Sequence, residues 1–228
     1  MPETVIVDDA VGDGPTRVLA ESYAGLGVKF AVMPKNGGFA GANNFGYRLC
    51  SREYVVLVNS DTAFHEEPFS AMVKFLDEHP RVGIVSGKVI VSNDDPAQNG
   101  KLNGAGAMMS QYGIMRTRGW MADPSDPKWD VATPVFTAYG ALFMFRNGLH
   151  EKVGGNLFYN HFHAYYEEVD LCHRTWLAGM EVWYVPTPAV DHAHGATMGK
   201  YVARASILRN YYRNIRFSFS TCWAFEAD

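Results

Sequence analysis

The sequence has few cysteines, no long apolar run and no excess of basic residues. Its three cysteines, Cys50, Cys172 and Cys222, form no CxxC pair, which argues against a disulfide framework or a structural zinc site and suits a reducing compartment. No apolar run is long enough to span a bilayer, and no signal peptide is visible. Lysine and arginine number 20 against 24 aspartates and glutamates, a net charge of −4, so nucleic acid is not an expected partner.

The composition is that of an ordinary globular domain. With 228 residues, of which 47% are hydrophobic and 19% charged, one core can be well buried without disulfides or a structural metal. We therefore interpret residues 1–228 as a single domain. Residues from about 1 to 92 form a nucleotide-binding half, and residues from about 93 to 228 form a mixed half.

Short β-type runs alternate with helix-length segments along the first two-thirds of the chain, which predicts βαβ units. The predicted fold is α/β, with a central mixed sheet whose parallel strands lie near residues 4–8, 28–33, 54–59 and 82–86. Tyr54–Val58 and Val82–Val85 lack in-and-out alternation, so both are predicted to be buried strands. The predicted helices lie at about residues 15–24, 40–51, 68–79, 166–178 and 200–219.

The pattern beyond residue 92 is less regular. Residues 94–104 and 121–130 are rich in Asp, Asn, Pro and Lys, and they are predicted to be long surface loops. Strand-like stretches lie at residues 107–112, 135–145 and 182–185.

Acidic residues follow two of the predicted strands. Asp8 and Asp9 follow the first, and Asp61 lies just after Tyr54–Val58. Ligand sites of open α/β sheets lie beyond the carboxyl ends of the strands, where a carboxylate can bind a base, a ribose or a divalent cation. The structural alternative is a capping aspartate at a strand-to-helix turn. His192, which follows a later strand-like stretch, is a candidate metal ligand if it meets Asp61 in space.

A glycine-rich segment, NGGFAGANN, covers residues 36–44. It predicts a turn that opens a helix, whose free N–H groups suit a phosphate or another polar group. The segment is neither a Walker loop nor GxGxxG, so it supports neither a P-loop ATPase nor a dinucleotide oxidoreductase. A plain turn is the structural alternative.

Three acids lie near the start of the predicted helix at residues 166–178. Asp170 and Arg174 are four residues apart and can pair on one helix face, while Glu167 and Glu168 fall in the first turn, where the helix dipole favours carboxylates. This structural account does not explain why two adjacent glutamates follow the aromatic-rich segment at residues 158–166. Desolvation in an aromatic cleft can raise the pKa of a carboxylate, as a general base requires.

Five motifs together resemble family 2 glycosyltransferases of the GT-A fold, over roughly residues 4 to 215. The strongest is EE-x-D-L-x-x-R-x-x-x-x-G, which is similar to the family's ED-x-D-L-x-x-R signature. The NSDT sequence and a C-terminal Arg-Asn most resemble the rhamnosyltransferase-like branch, although Arg209-Asn210 and Arg213-Asn214 both fit the latter. The five motifs are VIVDDAVGDG (5–14), NGGFAGANN (36–44), YVVLVNSDT (54–62), YYEEVDLCHRTWLAG (165–179) and AVDHAHGAT (189–197).

The resemblance implies a role for each matching residue. Glu168 stands at the position of the catalytic base, and Asp61 at the metal-binding position of the DxD motif. His192 matches the histidine that completes the metal or diphosphate site. The implied donor-binding residues are Asp8, Asp9, Asn36, Gly38, Asn43, Asn59, Ser60 and Asp61. The implied acceptor-side or supporting residues are Glu167, Asp170, Arg174 and Trp120.

The resemblance also implies an activity. It is the transfer of a sugar, with inversion, from a UDP- or dTDP-sugar to a hydroxyl of a glycan or lipid-linked acceptor. In the branch named above the sugar is rhamnose. The implied cofactor is Mn²⁺ or Mg²⁺. Three departures accompany it: the chain is expected to lack the family's usual first strand, Asn59 replaces the first Asp of DxD, and Glu168 replaces an Asp. These departures favour one alternative, a catalytically silent sugar-nucleotide-binding module. A nucleotidyltransferase is the other.

Aromatic residues leave two further alternatives open. Trp120, Trp129 and the aromatics of residues 158–166 could stack on sugar faces or belong to the core. The basic-aromatic helix predicted at residues 200–219 could lie on the inner face of a membrane as a peripheral contact, or it could cover the sheet. The implied location is therefore cytoplasmic, with or without that contact.

Overall fold

A computed structural model describes residues 3–9, 14–110, 115–193 and 213–214. The helices of the described chain are α1 (Gly14–Ser22), α2 (Gly38–Tyr47), α3 (Phe69–Glu78), α4 (Leu149–Lys152) and α5 (Glu167–Leu177). Its strands are β1 (Thr4–Asp8), β2 (Val28–Val32), β3 (Tyr54–Val58), β4 (Thr62–Phe64), β5 (Val82–Ser86), β6 (Val89–Val91), β7 (Leu102–Gly104), β8 (Ala107–Met109), β9 (Met115–Thr117), β10 (Thr133–Pro134), β11 (Leu142–Arg146), β12 (Glu181–Tyr184) and β13 (Val190–His192).

The predicted helices within the described ranges are confirmed to within a few residues at each end. α1, α2, α3 and α5 lie where the sequence places them. The helix predicted at residues 200–219 lies outside the described residues, apart from Arg213 and Asn214. Of the helices in the described ranges, none combines the length and the apolarity needed to cross a bilayer.

The four strands predicted to be parallel divide between two sheets. β1 and β2 form a parallel pair, with Asp8 opposite Val32. β3 and β5 belong to a five-stranded sheet of order β10-β12-β5-β11-β3, and they share a direction because both are antiparallel to β11. The expectation of one sheet holding all four is therefore wrong in detail, because hydrogen bonding within the described residues does not join β1 to β3.

Side chains of the five-stranded sheet alternate between two separate hydrophobic clusters. Phe143 and Phe145 of β11 pack on one face with Ile84 and Leu171, whereas Leu142 and Met144 pack on the other face with residues of α3. This follows from the two-residue repeat of a strand. The sheet is thus covered on both sides, as an α/β architecture requires.

The burial of β3 differs from the prediction. The sequence of β3 has no polar alternation, yet Leu57 is 8% exposed and its neighbour Val58 is 38% exposed. The reason is that β3 is the edge strand of its sheet among the described residues. β5 is buried along its whole length, as predicted.

A four-stranded sheet of order β4-β13-β6-β7 brings distant parts of the chain together. Thr62 of β4 lies opposite His192 of β13. The prediction of a surface loop at residues 94–104 is wrong for its last three residues, because Leu102–Gly104 is a buried strand that pairs with β6. The strand predicted at residues 135–145 is also too long, since a strand begins only at Leu142.

Candidate active site

The glycine-rich segment is tied to the end of β1. Oδ1 of Asp9 accepts a hydrogen bond of 2.7 Å from the Gly37 backbone N–H, and the Asp9 carbonyl accepts one of 3.2 Å from Asn36 Nδ2. Asp8, the last residue of β1, is 6% exposed. The structure therefore brings together four of the predicted donor-binding residues: Asp8, Asp9, Asn36 and Gly38.

Gly38 is required by both conformation and space. Its φ is +65°, and a Cβ atom there would lie 2.4 Å from both Nδ1 and the carbonyl oxygen of His163. A larger residue would push the glycine-rich segment away from the turn that contains His163. Asn43 instead bonds within its own helix, where Nδ2 donates to the Phe39 carbonyl at 2.8 Å, and its donor-binding role stays a prediction.

Asp61 and His192 meet, as the sequence analysis required of a metal site. Asp61 Oδ1 lies 3.2 Å from His192 Nε2, because β4 and β13 are antiparallel neighbours. Asn59 joins them, with Nδ2 3.4 Å from the same His192 nitrogen. The intervening Ser60 is exposed. Asn59, Asp61 and His192 thus form one polar cluster at the end of β3.

Asn103 orients the imidazole of His192. Its Oδ1 lies 2.7 Å from His192 Nδ1, and Asn103 itself is fully buried. Since an amide oxygen only accepts, this contact places a proton on Nδ1 and turns Nε2 towards Asp61. Sequence reasoning missed Asn103 because it lies in the stretch interpreted as a surface loop.

The donor set at Asp61 and His192 fits a divalent cation. A carboxylate oxygen and an imidazole nitrogen 3.2 Å apart match adjacent ligands around an ion bound at about 2.1 Å from each. Within the described ranges no group of three or more His, Cys, Asp or Glu side chains could hold a metal ion. The described residues therefore offer two ligands, and phosphate and water oxygens would occupy other positions.

Tyr139 lies near both this cluster and Glu168. Its ring centroid is 6.4 Å from that of His192, and the charges of Glu168 and Asp61 add to burial in raising the pKa of its hydroxyl. The Glu168 carboxyl carbon comes within 3.5 Å of where a Cβ on Gly140 would lie. Glu168 and the Asp61–His192 cluster therefore both lie near the same tyrosine, which sequence reasoning did not identify.

The two adjacent glutamates are both hard to ionise. Burial raises the pKa of Glu167 well above its usual range, and the neighbouring Glu168 charge raises it further. Burial also raises the pKa of Glu168, against the opposing effect of backbone N–H groups at the start of α5. Glu167 Oε2 is buried without a hydrogen-bond partner among the described residues. The arrangement favours a protonated Glu167 beside an ionisable Glu168.

Asp170 and Arg174 form the pair predicted from their spacing. Arg174 Nε donates to Asp170 Oδ2 at 2.8 Å, and both side chains are at most 1% exposed. The remaining guanidinium N–H groups donate to the carbonyls of Val153, Asn156 and Leu157 at 2.7 to 2.9 Å. These contacts fasten α5 to the segment after α4, so this pair supports the site through structure.

Asp170→Asn should lower the free energy of unfolding by about 3 kcal/mol, because removing one partner of a buried ion pair leaves the other charge uncompensated. Urea denaturation measures this. Glu21→Gln is the matched control, since Arg17 and Glu21 form an ion pair of the same spacing with side chains 70% and 58% exposed. We expect that control to change stability by less than about 1 kcal/mol. Equal effects of the two variants would contradict a supporting role for Asp170.

Most of the aromatic candidates belong to the core. Trp129 is 6% exposed and donates from Nε1 to the Asp123 carbonyl at 3.0 Å, while Phe158 and Phe162 are at most 1% exposed. Trp120 is 46% exposed. Of these four, only Trp120 is exposed at the surface, and its acceptor-side role stays a prediction.

The backbone just before α5 is left-handed at three residues that are not glycine. The φ angles are 61° at His163, 71° at Tyr165 and 73° at Tyr166. Such conformations cost roughly 1–3 kcal/mol each, and they persist only where surrounding contacts impose them. The sequence gives no sign of this turn, because glycine or asparagine would be expected at these angles.

Solved structures with the same architecture define the class of fold. GalNAc-T7, crystallised with UDP, GalNAc and Mn²⁺, aligns over 83% of this chain and 37% of its own, with a TM-score of 0.64 and 14% identity. TarS 1–349 of S. aureus aligns over 81% of this chain and 51% of its own, with a TM-score of 0.52 and 17% identity. The fold is the GT-A fold of glycosyltransferases, as predicted.

The amino-acid sequence then gives the family. The profile of glycosyl transferase family 2 matches residues 2–154, and the chain belongs to that family. A curated relative, poly-β-1,6-N-acetyl-D-glucosamine synthase of Staphylococcus epidermidis, is 28% identical over 91 residues, which is 40% of this chain. The synthase of S. epidermidis strain RP62A is 26% identical over a segment of the same length. The match covers 22% of the length of each relative.

Proposed function

We propose that this chain transfers a sugar from a nucleoside diphosphate to an acceptor hydroxyl, with inversion at the anomeric carbon. The observation that carries the proposal is the contact of 3.2 Å between Asp61 and His192, with Glu168 close to the same Tyr139 as this pair. One end of the site is suited to a diphosphate and a cation, and the other to a general base. Family membership and the UDP and Mn²⁺ of a structural neighbour also support it.

The diphosphate end is assigned to Asp61 and His192. Both would hold Mn²⁺ or Mg²⁺, which supplies positive charge that stabilises the leaving diphosphate. Asn103 keeps His192 Nε2 on the side of Asp61, where it can bind the cation once it is deprotonated. The glycine-rich segment is held by Asp9. The backbone N–H groups of Gly38 and Phe39, at the start of α2, are the ones assigned to the nucleotide part of the donor, because those of Gly37 and Ala40 donate to Asp9 and His163.

The acceptor end is assigned to Glu168. Its carboxylate takes the proton of the acceptor hydroxyl, whose oxygen forms the new bond to the anomeric carbon as the bond from that carbon to the diphosphate breaks. The pKa of Glu168 is raised by burial, which makes it a stronger base than an ordinary glutamate. Holding both substrates in line contributes further to the rate.

The proposal includes finer assignments that come from the sequence. The donor is a UDP- or dTDP-sugar, with rhamnose as the sugar of the branch that the motifs resemble. The acceptor is a glycan or a lipid-linked glycan, met in the cytoplasm or at the inner face of a membrane. The basic-aromatic segment at residues 200–219, suggested as a membrane contact, lies outside the described residues except for Arg213 and Asn214.

A donor-hydrolysis and transfer assay tests the proposal. UDP- and dTDP-sugars are incubated with the protein, a simple glycan acceptor and Mn²⁺ or Mg²⁺, and the released phosphates are identified. We expect nucleoside diphosphate, and its release should stop when EDTA removes the metal. Release of sugar 1-phosphate, with the nucleoside monophosphate transferred to the acceptor, would instead indicate a nucleotidyltransferase. Donor binding without any release would indicate a catalytically silent sugar-nucleotide-binding module.

A further inference from the structure

The turn that precedes the candidate base has an unusual backbone. His163 has φ 61° and ψ −64°, and the Ala164 N–H donates to the Phe162 carbonyl at 2.7 Å, which together define a rare type of γ-turn. Tyr165 and Tyr166 follow with positive φ, and α5 begins at the next residue. The direction of the first turn of α5, which carries Glu168, depends on this turn.

The side chain of Asn214 holds the turn. Asn214 is fully buried, and its Nδ2 lies 2.8, 2.8 and 2.7 Å from the carbonyl oxygens of Phe162, Ala164 and Tyr165. Three carbonyls that point at one amide group would repel each other without a donor between them. The amide therefore compensates for a backbone that nothing in the local sequence favours.

Arg213 fixes the orientation of that amide. Its Nε donates to Asn214 Oδ1 at 3.0 Å, which satisfies the oxygen and leaves Nδ2 to face the turn. A second guanidinium nitrogen lies 3.2 Å from the His161 carbonyl and 3.1 Å from that of Phe162. Arg213 and Asn214 thus bind the same short segment as a unit, from a part of the chain far from α5 in sequence.

The same turn also contacts the glycine-rich segment. The Ala40 N–H donates to the His163 carbonyl at 3.1 Å, and Gly38 packs directly against His163. A change in the turn would therefore move both the start of α5 and the start of α2. These two helix starts carry the candidate base and part of the candidate donor site.

We propose that Asn214 is a positioning residue for the transfer reaction, which holds the turn at 162–166 and thereby places Glu168 against the acceptor hydroxyl. The inference rests on the proposed function, since Glu168 is the base only in that reaction. Asn214 touches backbone carbonyls of the turn, and it acts through the turn. Arg213 acts one step further away by orienting Asn214.

Asn214→Ala should lower kcat at least tenfold and weaken the binding of nucleoside diphosphate by a smaller factor, through the start of α2. That binding should stay dependent on Mn²⁺, because Asp61 and His192 are untouched. The amides of residues 162–166 should exchange with deuterium at least tenfold faster. Arg213→Gln, which keeps Asn214, should change kcat and the amide exchange rates in the same directions but less. It replaces Asn214→Ala as the test if that variant fails to fold. Asn147→Ala is the control, since Asn147 Nδ2 also donates to a backbone carbonyl, that of Arg52 at 2.9 Å.

Adding His163→Gly separates positioning from a general loss of stability. Glycine adopts φ 61° without a clash between its side chain and the backbone, so the turn then depends less on Asn214. In the His163→Gly background, the factor by which Asn214→Ala reduces kcat should be at least threefold smaller than in the parent. A parent-like kcat and parent-like exchange in Asn214→Ala would overturn the proposal, as would equal losses in both backgrounds. A parent protein that catalyses no transfer would refute the proposed function instead, and the exchange rates would still report whether Asn214 holds the turn.

Discussion

Glu168→Gln should reduce the rate of sugar transfer by about 10²–10⁴-fold, the range that a positioned general base contributes. Glutamine keeps the shape of the side chain and loses its basicity. Donor affinity should stay close to that of the parent, because Asp61 and His192, which bond to each other, are left in place. Steady-state kinetics with a saturating acceptor measure the first effect, and calorimetric titration with nucleoside diphosphate and Mn²⁺ measures the second.

Glu167→Gln is the matched control for this experiment. Burial and the neighbouring Glu168 charge raise the pKa of Glu167 well above its usual range, so a neutral glutamine resembles the protonated acid that it replaces. Adjacent helix residues differ in direction by about 100°, so one acceptor cannot face both side chains equally. A normal rate in Glu168→Gln with a large loss in Glu167→Gln would show that the base is Glu167 and that the motif is aligned one residue out of register.

The same assignment fixes the direction of the pH dependence. A base works only when it is deprotonated, so kcat should fall as the pH is lowered through the pKa of Glu168. Burial raises that pKa above the ordinary value for glutamate, so the acid limb should lie at a higher pH than an exposed glutamate would give. In Glu168→Gln this limb should disappear from the remaining activity.

Local sequence patterns were sufficient to predict the elements that carry the site. The helix of residues 167–177 and the pairing of Asp170 with Arg174 follow from a spacing of four residues. The acids at strand ends follow from the architecture of α/β sheets. The meeting of Asp61 with His192 could be stated only as a condition, because it depends on how β4 and β13 pair, and no local pattern sets that pairing.

The residues that support the site were harder to predict. Asn103 lies in a strand of three residues that follows a polar loop, so its composition resembles the loop and its burial is set by β6. Tyr139 lies in an irregular segment where no periodicity indicates burial. Asn214 donates to carbonyls about 50 residues earlier in the chain. In each case the function of the side chain comes from tertiary contacts that sequence spacing does not encode.

Asp61→Ala should abolish metal-dependent binding of the donor while leaving the fold intact. Asp61 is one of two ligands that the described residues offer to the cation. Loss of an outer-shell partner of a metal ligand already costs about 10–100-fold in affinity, and loss of the ligand itself should cost more. The fold should survive because an aspartate carries little apolar surface, so its loss removes little hydrophobic packing. Calorimetric titration with UDP or dTDP, with Mn²⁺ or with EDTA, measures the effect.

Asp191→Ala is the sharpest control, because it removes an aspartate from a second Asp–His pair beside the first. Asp191 Oδ2 lies 2.9 Å from His65 Nε2, and the His65 side chain is 73% exposed. Successive residues of a strand point to opposite faces, so Asp191 and His192 face different surroundings. If the loss of one negative charge were the whole effect, both variants would weaken nucleotide binding equally. If Asp61 is a metal ligand, only Asp61→Ala should lose the part of the binding that depends on Mn²⁺. If Asp61→Ala binds nucleoside diphosphate and Mn²⁺ as the parent does, the metal assignment is wrong.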